Sequence, residues 1–109
     1  MREAMKEMAQ QLSDLRNIAY IKGSNQSSDD CEYCMAAAAV TMVIEHELDE
    51  MYLEDKVDHS RLRILVEALG AITEPISDPE IKELTEKITS SRYKIATRYQ
   101  PLPAHQGPS

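Results

Sequence analysis

The stretch SSDDCEYCMAAAAVTMVIEHELDEMYLEDK, Ser27 to Lys56, joins a cysteine pair, a block of small apolar residues and a burst of acid. Two readings compete for it. In one, Cys31-Glu32-Tyr33-Cys34 is a metal or redox site. In the other, the whole stretch is one long helix made for packing and for meeting a partner.

The helical reading has the simpler physics. Asp29 with Glu32 three residues on has the spacing of a capping box, which satisfies backbone N–H groups at a helix start. No Gly or Pro follows before Glu54, so the helix exceeds 20 residues and spans about 35 Å. Tyr33 to Ile44 is apolar or small on every face, and a helix apolar all round is expected to be buried all round. From Glu45 the pattern changes. Leu48, Met51, Tyr52 and Leu53 stand among Glu45, Glu47, Asp49, Glu50, Glu54 and Asp55. Acids near a helix C-terminus oppose its dipole, at typically 0.3–1 kcal/mol each. Their presence has two explanations: a solvated face that keeps the chain soluble, or an acidic docking face with those four apolar residues as anchors.

The chemical reading of the cysteines needs more than the pair supplies. A helix N-terminus lowers a thiol pKa, but Asp29, Asp30 and Glu32 oppose that effect. Zinc takes four ligands. His46 lies 12 residues beyond Cys34, about 18 Å along the helix; His59 belongs to another segment and His105 to the tail. Thioredoxin-like pairs follow a β-strand, and no strand pattern is present. Free cysteines pack like small hydrophobes, and packing is the reading adopted for this pair. A thiol redox sensor, or a zinc site pooled from Cys31 and Cys34 of two chains, is the alternative.

Outward from this helix the chain reads as three more. Met1, Met5, Met8, Leu12, Leu15 and Ile18 recur at steps of three and four and predict a first helix over 2–21 with one apolar stripe. Gly23 is expected to stop it. Asp58 predicts the N-cap of a helix over 59–69, with Leu62, Leu65, Val66 and Leu69 inward and Gly70 as its stop. A linker over 71–77 carries Pro75. Ser77-Asp78-Pro79-Glu80 opens the last helix with a capping box and a first-turn proline, and Ile81, Leu84, Ile88, Ile95 and Tyr99 form its stripe. Arg92, Lys94 and Arg98 near its end complement the helix dipole. His46 with Glu50 reads as a solvated pair on an acidic helix.

The expected fold is therefore all-α: one four-helix domain over 1–99 with a long central helix, and a Pro-rich disordered tail over 100–109. The chain has 109 residues, six Met, five Tyr and neither Phe nor Trp. A core without large rings is thin, and self-association as a homodimer is expected to supplement it. The net charge of −7 disfavours nucleic acid and anionic membranes. No apolar run approaches the ~20 residues of a membrane span, and no signal-peptide pattern is seen, so a cytoplasmic location is expected.

No Gly-rich phosphate loop and no nucleophile–histidine arrangement can be argued, so neither catalysis nor a cofactor is expected. What remains is binding. The expected partner surface is the stripe of the first helix (Met5, Met8, Leu12, Leu15) with Leu48, Met51, Tyr52 and Leu53, although that stripe equally suits a core. In length, acidity and Met-rich helical character, the Met1–Ile18 stripe, the Cys34–Ile44 block and the Glu45–Asp58 stretch together resemble the QslA-like bacterial anti-activators that silence LuxR-type quorum-sensing regulators. The resemblance implies capture of the ligand-binding domain of a LuxR-type activator, blocking its dimerisation and DNA binding. It assigns no individual functional residue.

Overall fold

A computed structural model describes residues 2–25 and 30–98. Four helices occupy them: α1 Arg2–Gly23, α2 Cys31–Glu54, α3 His59–Thr73 and α4 Pro79–Arg98. No strand occurs among the described residues. Each helix packs on two neighbours in the cyclic order α1–α2–α3–α4, and the backbones of the diagonal pairs do not approach closely. No described helix is long and apolar enough to cross a membrane. Met1, Asp29, Tyr99 and the tail, for which the sequence carried expectations, lie outside the described residues.

The core follows the predicted stripes. Met5, Met8, Leu12 and Leu15 of α1 share one buried core with Ile44 and Leu48 of α2, Leu62, Val66 and Leu69 of α3, and Ile81, Ile88 and Ile95 of α4. The buried hydroxyls of Thr41, Thr85 and Ser91 find acceptors, as burial requires. Thr41 donates to the Ala38 carbonyl at 2.7 Å, Thr85 to the Ile81 carbonyl at 2.8 Å and Ser91 across helices to Gln11 Oε1 at 2.8 Å.

Four helix ends differ from the sequence reading. Gly23 is the last residue of α1 and has no left-handed backbone. Its role is proximity: a Cβ there would lie 2.7 Å from Met35 Cγ and 3.0 Å from the Met35 backbone nitrogen. Gly70 does not end α3, which runs on to Thr73. The next residue, Glu74, still has right-handed helical backbone (φ −53°, ψ −48°); the ladder stops at Pro75, which has no N–H to donate. Ile76 in the following turn is buried and joins the core. At α4 the cap is Asp78 rather than Ser77: its Oδ1 accepts from the backbone N–H of Glu80 at 2.9 Å and of Ile81 at 3.1 Å. For α2 the N-cap position is Asp30, one residue later than the capping-box spacing predicts. Asp30 makes no side-chain cap bond there; its carboxylate accepts instead from the Ser77 hydroxyl and backbone N–H at 3.3 Å.

The other ends match. Asp58 caps α3 through Arg61 N–H at 3.0 Å. α2 closes at Asp55, which takes the left-handed conformation (φ 54°, ψ 40°). Lys56 N–H reaches the Met51 carbonyl and Asp55 N–H the Tyr52 carbonyl, the bond pair of a Schellman motif.

The largest correction concerns α2. Its apolar first half is not buried all round. Cys34, Ala37, Ala38, Thr41 and Ile44 face inward, while Met42 is 60% exposed, Val43 50%, Tyr33 46% and Met35 41%. In a four-helix ring a helix can bury only the sector that faces its two neighbours and the axis. Among the described residues no fifth helix covers the outside.

Candidate functional site: a groove between the first two helices

Six of the eight residues expected to meet a partner belong to the core. Met5, Met8, Leu12, Leu15, Leu48 and Met51 are each at most 6% exposed. They hold the four helices together and are not available as a contact stripe. The physical reason is the ring: the apolar face of α1 lies between α2 and α4, so its Met–Leu stripe is spent on folding. Tyr52 is half-buried and Leu53 projects into solvent.

Three of the eight nevertheless meet in one place. Met5, Leu48 and Tyr52 line an open groove of about 440 Å³ between α1 and α2, together with Lys6, Ala9, Glu45 and Asp49. Buried Met5 and Leu48 form its floor. Tyr52 is a wall, held by the Arg2 guanidinium 4.7 Å above its ring. The Arg2 hydrogen bond first, then the Lys6 ammonium, draws the Tyr52 phenol below its ordinary pKa. Glu45 is fixed on the rim by Arg16, Oε2 to Nε at 2.7 Å. Helix spacing brings these residues together: Glu45, Leu48, Asp49 and Tyr52 fall at steps of three and four on α2, and Met5, Lys6 and Ala9 do so on the antiparallel α1. A larger depression of about 600 Å³ at the α2–α3 turn has mainly charged walls, among them Glu47, Glu50, Glu54 and Asp58. Without a broad apolar floor it offers less to a protein side chain.

Much of the acidic run turns out to work inside the fold. Glu45 pairs with Arg16, Glu47 with Arg61 at 3.0 Å and Asp55 with Arg2 at 3.7 Å. These bonds tie α2 to α1 and α3. His46 and Glu50 form an exposed i,i+4 pair at 3.1 Å. The acids are therefore neither a purely solvated face nor a continuous docking face. At the far end of α4, Arg92 lies over the Tyr93 ring at 4.1 Å and Lys94 pairs with Glu7 of α1 at 3.2 Å.

Cys31 and Cys34 are free thiols, the first half-buried and the second buried. Burial first, then the charges of Asp30 and Asp78, pushes the Cys34 thiol above its ordinary pKa. Such a thiol is a poor nucleophile. Among the described residues no three His, Cys, Asp or Glu side chains gather as a metal-holding set. Close by, Lys22 of α1 and Asp78 at the start of α4 form a short ion pair.

Lys6 and Ala9 were not singled out as binding residues in the sequence, and Glu45 and Asp49 entered only as part of the acidic run. The signal available was the register of two antiparallel helices, which becomes visible once both inward stripes are fixed. Comparison with known protein families, curated proteins and solved structures returns no match to this chain.

Proposed function

We propose that this chain is a non-enzymatic, cytoplasmic protein-binding regulator that takes an apolar side chain of its partner into the α1–α2 groove. The observation that carries the reading is the groove itself: an apolar floor of Met5 and Leu48, an aromatic wall at Tyr52, and a charged rim. Apolar pockets with a few placed polar groups are where binding energy concentrates. The net charge of −7 favours a partner segment with basic residues beside its apolar anchor, since opposite charge speeds encounter and rejects acidic competitors. An amphipathic helix meets these demands.

The finer reading is an anti-activator. The resemblance of the stripe, the apolar block and the acidic stretch to QslA-like proteins supports a LuxR-type transcription activator as the partner, held so that it neither dimerises nor binds DNA.

The test is co-purification with the ligand-binding domain of a LuxR-type activator, alongside activator-dependent transcription in a reporter strain. Ala9 is exposed on α1 and lines the groove, so Ala9→Arg fills it without touching the core, at little cost in helix propensity. Wild type captures the activator and lowers transcription; Ala9→Arg and Tyr52→Ala lose both while far-UV circular dichroism is unchanged. Capture that survives both substitutions overturns the groove. Failure of the wild type to capture or repress overturns the anti-activator reading.

A further inference from the structure

We propose that a second copy of this chain docks antiparallel on the outer face of α2, about a two-fold axis passing at Ala39. This face is uncovered in the bundle: Met35, Ala36, Ala39, Met42 and Val43 are all exposed. They do not belong to the α1–α2 groove, so this inference stands apart from the proposed function.

The occupant is argued from register. In a two-fold contact the same patch serves both partners and must complement itself. An axis at Ala39 sets Met35 opposite the partner's Val43, Ala36 opposite the partner's Met42, and Ala39 opposite its own copy. Each long side chain meets a smaller one, and the smallest pair sits where the helices come closest. Positions 35, 39, 42 and 46 repeat at steps of four and three, the seam spacing of a helix pair.

Charge selects the same arrangement. Residues 33–44 carry no charged side chain, and this uncharged segment is the part that faces itself. Just beyond it Glu32 stands opposite the partner's His46. The Glu45–Asp55 acids of the two copies then lie at opposite ends of the assembly, away from each other. A parallel pairing would stack the two acidic segments on each other. The contact runs from position 32 to 46, about 21 Å of helix axis. One short helix pair is a small seam beside a standard interface of about 20–30 residues a side, so the dimer is expected to be a weak, concentration-dependent one.

Sedimentation equilibrium over a concentration series tests this on the full chain. Wild type is expected to show a reversible monomer–dimer equilibrium. Ala39→Glu, exposed and therefore harmless to the fold, places two like charges on the axis and weakens dimerisation by at least about tenfold, equivalent to ~1.4 kcal/mol. In a Cys31→Ser background, Ala39→Cys is expected to cross-link to its own copy on oxidation, because a disulfide needs Cα atoms within about 7 Å; Glu67→Cys, exposed on α3, is not. Wild type that stays monomeric at high concentration, a dimer indifferent to Ala39→Glu, or equal cross-linking at both cysteines would each overturn the proposal. So would a monomer whose activator capture is abolished by Met42→Glu, since the face would then belong to a foreign protein.

Discussion

Replacing Gly70 by alanine separates two accounts of α3. If Gly70 were the left-handed stop suggested by its place after Leu69, a side chain there would cost about 1–2 kcal/mol. In the structure Gly70 lies within the helix, without positive φ, and its carbonyl accepts from Glu74 N–H at 3.0 Å. A Cβ added at this position meets nothing within 4 Å beyond the adjacent residues and the helix's own backbone, so it neither clashes nor fills a gap. The effect reduces to backbone entropy and helix propensity, which favour alanine by about 0.5–1 kcal/mol. For a domain of this size that raises Tm by roughly 2–8 °C. Reversible thermal unfolding followed by far-UV circular dichroism reads the shift, at one fixed protein concentration so that self-association does not contribute. A lower Tm for Gly70→Ala would refute the continuous α3 and restore the stop.

Two further outcomes follow from the geometry. Gly23→Ala is expected to destabilise by about 1–3 kcal/mol despite better helix propensity, because its Cβ presses on the Met35 backbone as well as on a movable side chain; chemical denaturation measures this, and an unchanged midpoint would contradict the close approach. Asp78→Ala removes the α4 cap and is expected to cost about 1 kcal/mol at neutral pH, whereas Asp78→Asn keeps the cap and loses the charge. Burial pushes the Asp78 carboxyl up, but the Lys22 ammonium and the backbone N–H groups of Ile81 and Glu80 outweigh it and hold its pKa below the ordinary 3.8. A depressed carboxylate contributes stability above its unfolded pKa and loses it as pH falls through the folded one. Wild type should therefore lose stability on acidification below about pH 4, with a shallower loss in Asp78→Asn; identical acid limbs would remove Asp78 from the account.

The same physics decides which substitutions report on binding. Met8 and Leu48 are buried, so an arginine at either position would place an unpaired charge in the core and report loss of fold. Ala9, Tyr52 and Ala39 lie at surfaces where function and fold can be separated.

Local chemistry was legible in the sequence wherever one segment decides for itself. The steps of three and four, the cap at Asp58, the first-turn proline of α4 and the unbroken run from Cys31 to Glu54 establish four helices and most of their inward residues, because helix periodicity is a property of the segment alone. Burial of an all-apolar helix is not such a property. It depends on how many neighbours surround it, and the four-helix ring leaves Met35, Met42 and Val43 outside. Nor could periodicity tell whether the α1 stripe was core or interface, since both demand the same residues. Only tertiary packing committed Met8, Leu12 and Leu15 to the interior, drew Ile76 in from a turn, matched Glu45 and Glu47 to Arg16 and Arg61, and laid Met5, Leu48 and Tyr52 along one groove: each of these is a relation between helices, and a single helix carries no record of what will stand beside it.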